Sequence, residues 1–338
     1  SMAASRRYTL QTMKRVFAYA ASIDTVGRKP HDSYAYLKYD IRTNKRNALL
    51  LAVPTMFAVA NGGDREHVGE NYSRIVSKRP GDFETTRLLD RSTIPHQMRT
   101  MPTVLKYLTP LLYEEMLIDG RLLSPFHYVN RRFYRYRVTE FSHGTALVSF
   151  RPRLKNTKLV RGWARVETES GRVIETAFDG EYDLVRFHVA VTMGDSGVNS
   201  LMPNECNLNA RFLFLGNDLT AEYTSVYNLP KIINDTITNR RDTALINRIR
   251  PIPLTSHEQY LFDRYYARRN RAAADSTQSD RKKAKIAKKL WDVVGRNMIQ
   301  RTNQKFGTHD QGQFRVSPIL NPLYFSYSSR RGLTYKLD

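Results

Sequence analysis

Between residues 127 and 228 the chain alternates apolar and polar side chains in short runs, and each run ends at a turn-forming cluster. A period of two is the strand period, because successive side chains leave a pleated backbone on opposite faces. "RRFYRYRVTEF" and "TALVSFRPR" flank Ser142-His143-Gly144, and "KLVRGWARVE" and "RVIETAFDG" are joined at Glu169-Ser170-Gly171. In the second pair Trp163, Arg165 and Glu167 alternate with Ala164, Val166 and Thr168. "EYDLVRFHVAVTM" continues, setting Leu184, Arg186 and His188 against Val185, Phe187 and Val189, and "ARFLFLGNDLTAEYTSVYNL" ends the series around Gly216-Asn217. Runs of about eight to twelve residues separated by turn signals are the mark of antiparallel neighbours. The segment therefore reads as an antiparallel meander.

The flanks carry other periods. Residues 6–25 place Leu10, Met13, Phe17 and Ala20 or Ala21 at helical spacing, so a first amphipathic helix is expected. "HDSYAYLKYDIRT" sets Tyr34, Tyr36 and Lys38 against Ala35, Leu37 and Tyr39 and reads as a strand. "ALLLAVPTMFAVA", Ala48 to Ala60, is too short to span a bilayer and reads as a buried helix kinked at Pro54. Asn61 to Lys78 reads as a turn and a short strand around Tyr72 to Val76, and residues 79–102 as a surface connection. "TVLKYLTPLLYEEMLIDG" reads as a helix capped at Thr103, kinked at Pro110 and stopped at Gly120. Residues 229–300 return to helical patterns, with Thr255 or Ser256 as a cap close to Glu258. The chain closes on a period-two hairpin, with Leu323, Phe325 and Tyr327 on one face of the first strand and Leu333, Tyr335 and Leu337 on one face of the second. The expected fold class is α+β: a curved antiparallel β-meander flanked by helices. Four segments follow: 1–126 mainly helical with short strands, 127–228 the meander, 229–310 basic and helical, and 311–338 the closing hairpin.

Composition narrows the function classes. The formal net charge of +22 calls for an acidic partner such as nucleic acid, an anionic membrane surface or anionic glycan or lipid headgroups, or else reflects charged solvated faces alone. Hydrophobic residues make up 41%, enough to build cores and to exclude global disorder. One cysteine, Cys206, allows neither a disulfide framework nor a cysteine-based zinc site. Gly62-Gly63 lacks the Lys-Ser/Thr of a phosphate loop, and no His-Glu-x-x-His run occurs. "DREHVGE", Asp64 to Glu70, offers oxygen and imidazole ligands but reads as a surface loop. Gly194-Asp195-Ser196-Gly197 matches a serine-nucleophile segment only superficially; Asp-Ser-Gly clusters make ordinary turns, and His188 falls on the preceding strand. The sequence implies no cofactor, no metal and no catalytic residue.

Two constellations are candidates for binding. The basic stretch holds Arg264, Arg268, Arg269, Arg271, Arg281, Lys282, Lys283, Lys285, Lys288 and Lys289, with Tyr265 and Tyr266 interleaved. It reads as a contact for phosphates of nucleic acid, as a contact for anionic lipid heads, or as a solvated helix face. Asp263, Asp275 and Asp280 punctuate it, which weakens the nucleic-acid reading. In the meander Phe150, Trp163, Phe178, Phe187 and Phe214 are available for one concave apolar face, to hold a ligand or to pack as core beneath the helices.

"LLSPFHYVNRRFYRYRV", "VSFRPRLKNTKLVRGWARVETESGRV", "FDGEYDLVRFHVAVTMGDSGVNSLMP", "FLGNDLTAEYT", "RPIPLTSHEQYLF", "LWDVVGRNM" and "SPILNPLYFSYSSRRGLTYKL" occur in that order. Over roughly Tyr34 to Asp338 the chain resembles a family of large Bacteroidota outer-membrane proteins of unestablished function. The resemblance implies a carboxypeptidase-regulatory-like sandwich upstream, this periplasmic middle region, and a C-terminal transmembrane β-barrel that the closing hairpin would enter. It implies no catalytic residue to carry over. Ser1-Met2-Ala3 reads as a vector-derived start, so a targeting signal is expected upstream. The expected function is a non-enzymatic module at the periplasmic face of the outer membrane. Its expected partners are the barrel of the same polypeptide and envelope lipids or proteins. Two alternatives stay open: an envelope hydrolase acting on glycan or peptide, for which Glu167, Glu181 and Asp183 are available carboxylates, and a nucleic-acid-binding protein using residues 264–289.

Overall fold

A computed structural model describes residues 2–23, 31–52, 64–79, 82–94, 112–118, 122–182, 184–195, 203–231 and 239–275, and three strands within 314–337. Ten strands form one open antiparallel sheet. The meander supplies β6 (Tyr134–Ser142), β7 (Thr145–Pro152), β8 (Arg161–Glu167), β9 (Val173–Tyr182), β10 (Val185–Met193), β11 (Pro203–Phe214) and β12 (Asn217–Leu229). β1 (His31–Lys45), β2 (Glu66–Arg79) and β3 (Asp82–Ser92) extend it, giving the order β3-β2-β1-β12-β11-β10-β9-β8-β7-β6. The join is the β1–β12 ladder, which pairs Leu37 with Ser225 and Tyr39 with Tyr223. Strands on either side of residue 126 thus belong to one sheet. The turns expected at 142–144, 169–171 and 216 are present, with Gly144, Gly171 and Gly216 at positive φ.

The two faces of the sheet differ. On the inner face lies α1 (Met2–Ser22), which buries Thr12, Met13, Val16 and Ala20. These meet Ala35, Leu37 and Tyr39 of β1 and the inward residues of β6–β11 in one apolar core. The helix is located by specific contacts: Val138 N donates to Thr9 Oγ1 at 3.2 Å, and Arg15 donates to the Thr168 carbonyl. Gly171, φ +80°, sits so near that an added Cβ would lie 2.4 Å from the Arg15 backbone; only glycine serves both the turn and the approach. On the outer face α2 (Thr243–Ile249) and α3 (Ser256–Asp275) cover only the β1–β3 end. Ile246 and Ile249 pack on Tyr34, Tyr36, Tyr72 and Leu89, and Leu261 and Phe262 pack on Val68. β1 is therefore buried on both faces, which is why "SYAYLKY" is almost continuously apolar.

Several expectations change. α1 forms as expected, but its buried stripe is rotated, leaving Leu10 65% exposed. β2 starts at Glu66, well before Tyr72, because Glu66 and Glu70 find buried or helix-borne partners. The expected surface connection contains β3, an edge strand whose Glu, Arg and Asp residues mask its strand character. Residues 48–52 are a 3-10 helix, and the rest of the apolar run lies outside the described residues. In the helix expected over 103–120, the described part is a turn followed by β4 (Met116–Ile118), paired with β5 (Leu122–Leu123). Its carbonyls are taken by distant groups: Ser124 Oγ donates to Leu112, and Asn130 Nδ2 donates to Glu115 at 2.7 Å. The helix expected over 281–300 lies outside the described residues, whereas β14 (Leu323–Ser328) and β15 (Gly332–Leu337) pair as expected, Phe325 opposite Tyr335, with β13 (Phe314–Arg315) added to β14.

Candidate functional site

The aromatic residues expected to share a face divide by strand parity. Phe150 opposes Gly162, Gly162 opposes Phe178, Phe178 opposes Val189, and Phe187 lies two residues before Val189. Phe212 opposes Val185, so Phe214 falls on the same inner face. Trp163 opposes Ser149 and Ala177, one residue out of phase, and stands on the outer face at 39% exposure. Phe150, Phe178 and Phe187 are buried core, each worth roughly 2 kcal/mol of burial, and Phe126 meets Phe150 edge-on at 5.5 Å. Glycine makes room: an added Cβ at Gly180 would lie 2.5 Å from the ring of its partner Phe187.

The inner face is not equally covered along its width. Toward β10–β12, Val185, Leu208, Ala210, Phe214 and Tyr223 pack against the core but remain partly exposed. A cleft of about 390 Å³ opens at the tip of the β11–β12 hairpin, at the end of this margin, lined by Lys45, Leu184, Arg211, Leu213, Phe214 and the Leu215–Asp218 turn; by strand parity Phe214 faces inward and Arg211, Leu213 and Asp218 face outward. Its lining mixes apolar Leu184, Leu213 and Phe214 with the cations Lys45 and Arg211; Asp218 accepts from Arg211 at 2.8 Å, and Asn47 ties the turn through Asn217 and the Leu215 carbonyl. The arrangement suits an apolar chain ending in an anion. Cys206 lies on the inner face, fully buried, and burial pushes its thiol up to about 12, so it is unreactive in the folded state.

Beneath α2 and α3 lies an ionic seam. Glu70 is fully buried and accepts from Arg250 at 2.6 and 2.7 Å and from the Tyr36 hydroxyl at 2.7 Å. Arg91 approaches the same carboxylate at 3.7 Å, and its guanidinium stacks 4.0 Å from the Phe262 ring. Burial, the adjacent Glu70 charge and its hydrogen bond raise the Tyr36 hydroxyl far above its usual range. At the start of α3, Lys38 pairs with Glu258 at 3.1 Å and His257 with Glu66 at 2.8 Å. Asp40 accepts from Arg42 at 2.9 Å, yet burial outweighs that contact and raises its carboxyl to about 6.

This seam absorbs residues singled out for other roles. Arg264 and Arg268 turn back onto Asp64, while Arg269 and Arg271 are exposed; Arg281, Lys282, Lys283, Lys285, Lys288 and Lys289 lie outside the described residues. "DREHVGE" is dispersed along a strand: Asp64 takes Arg268, Glu66 takes Arg42 and His257, Glu70 takes Arg250, and His67 is buried. Among the described residues no group of three His, Cys, Asp or Glu side chains is placed to hold a metal. His188 pairs with Asp179 at 2.8 Å on the outer face, and Ser196 lies outside the described residues. No described helix is long and apolar enough to cross a membrane. The seam was missed in the sequence because Glu70 and Arg250 are 180 residues apart.

Fold and site together define an open antiparallel sheet whose inner face is covered, among the described residues, by α1 and by the 112–126 segment. The chain belongs to the family of unknown function DUF5686, which it matches over residues 13–229. No curated protein matches its sequence. Among solved structures it is similar to a LolA superfamily protein from Nitrosomonas europaea, at 12% identity and TM-score 0.21, over 67% of this chain and 97% of that one. It is also similar to a chain of the Pseudomonas aeruginosa MucA/MucB complex, at 8% identity and TM-score 0.19, over 62% and 93%. Likenesses this slight carry no argument here.

Proposed function

We propose that the chain is a non-enzymatic binding module of the cell envelope, at the periplasmic face of an outer membrane, with the inner sheet face as its ligand site. The observation that supports this is the partly exposed β10–β12 margin of the inner face, which ends at the hairpin-tip cleft where Phe214 and Leu184 lie beside Lys45 and Arg211. An apolar chain enters along Phe214 and Leu208, and its anionic end meets Lys45. In this reading the 264–289 stretch adds a second contact to anionic envelope groups through the exposed Arg269 and Arg271, and the closing hairpin leads toward the barrel of the same polypeptide.

A fluorescent fatty acid tests the ligand site. Saturable binding at one site per chain, weakened at least about tenfold by Phe214→Asp and by Lys45→Glu, is the expected result. Binding that never saturates, or that ignores both substitutions, contradicts it. Ester, peptide and glycoside substrates are expected to remain intact in its presence.

A further inference from the structure

Trp163 stands on the outer face of β8 between two small neighbours, Ser149 and Ala177, which leave it 39% exposed. α2 and α3 cover only the far end of this face, at β1–β3. Arg161 and Arg165 flank the ring on its own strand, two residues to either side. Arg151 lies one position beyond the Phe150–Gly162 pair on β7, diagonal to the ring. On the edge strand β6, Arg135 directly opposes Arg151, and Arg137 opposes Ser149 in the same cross-strand row as Trp163. Arg135, Arg137, Arg151 and Arg161 are exposed and have no ion-pair partner among the described residues. Only Arg165 is neutralised, by Glu175 at 3.0 Å; Asp179, in register with Arg161, gives its carboxylate to His188.

Like charges directly opposite each other destabilise a strand pair, so stability alone does not call for Arg135 across from Arg151. Four free guanidinium groups spread over three strands form a two-dimensional array about 10 Å wide around one amphipathic ring. We propose that this outer face of β6–β8 docks on an anionic lipid surface, the arginines binding headgroup phosphates and Trp163 entering the interfacial layer. A bilayer offers both a lattice of anions and an apolar layer for the ring. A nucleic-acid duplex offers lines of phosphate and no such layer. The surface is built from β6–β8, away from the β11–β12 cleft and from residues 264–289, so it stands or falls independently of the ligand site.

The chain has two tryptophans, and Trp291→Phe leaves Trp163 as the sole reporter. The probes are vesicles of phosphatidylglycerol with phosphatidylcholine, phosphatidylcholine vesicles, and a random DNA duplex. The anionic vesicles alone are expected to shift Trp163 emission to the blue, and about 0.5 M salt to reverse it. Arg135→Gln with Arg137→Gln, and separately Arg151→Gln with Arg161→Gln, are each expected to weaken association roughly 25-fold, at about fivefold per arginine. Their melting temperatures stay at or above the parent value, because repulsion is relieved. Lys282→Glu with Lys283→Glu leaves the Trp163 shift in place. The proposal is overturned by no association with anionic vesicles, by association that survives both arginine pairs, by vesicle binding without a Trp163 shift, or by a response to the duplex instead.

Discussion

At the level of single residues, the most consequential group is Glu70, one carboxylate serving Arg250, Tyr36 and the nearby Arg91 inside the seam. Glu70→Ala leaves buried cations without an anion, and breaking such a pair costs about 3–5 kcal/mol. Urea unfolding is expected to show that loss; a change below about 1 kcal/mol would mean the seam is open to water. Asp40 provides a test with a definite sign. Its folded carboxyl is raised from 3.8 to about 6, so folding favours the protonated form. Asp40 therefore supports the fold fully below about pH 4, and that support fades as pH climbs through 6. Relative to the parent, Asp40→Asn should gain on the order of 2 kcal/mol of stability between pH 4 and pH 8, less whatever coupling to Glu66 absorbs. A difference that does not vary with pH refutes the assignment. Single side chains were only partly legible in the sequence. Strand parity puts Phe150, Phe178, Phe187 and Phe214 on one face, whereas aromatic character alone groups Trp163 with them. Its alternation with Ala164 and Val166, and its phase shared with Arg165, already placed it on the other side.

At the level of elements, α3 shows which local signals were reliable. Thr255 and Glu258 form a reciprocal cap, Thr255 N donating to Glu258 Oε2 at 2.8 Å and Glu258 N to Thr255 Oγ1 at 3.1 Å. Thr255→Ala should lower the melting free energy by about 1 kcal/mol. Glu258 also takes Lys38, so the cap fixes where the helix docks on β1. Asp64→Ala frees Arg264 and Arg268 from an exposed pair worth at most about 1 kcal/mol. Stability should hardly change, while any salt-sensitive binding through the basic stretch should strengthen; unchanged binding would detach these two arginines from it. Caps and Gly turns were readable because their partners lie within a few residues. The first residues of β2, before Tyr72, and β3 and β4 are not, because buried or helix-borne partners, a charged edge strand and distant carbonyl partners override local period.

For the molecule as a whole, the central claim is that residues far apart in sequence build one sheet with two unlike faces. The seven-strand meander was legible from its turns. Its extension through β1 was not, since ladder pairing leaves no local mark and β1, buried on both faces, reads only as a good strand. The inner face holds α1, the outer face holds the seam at one end and the arginine array at the other, and the cleft opens at the β11–β12 hairpin tip. Both proposed sites depend on that continuity. Native-state hydrogen exchange tests it most directly. Amides of the β1–β12 ladder should open with the same free energy as those of β8–β10, within about 1 kcal/mol, as parts of one cooperative unit. Exchange in β1 and β12 faster by about a hundredfold or more than in β8–β10 would contradict a single sheet.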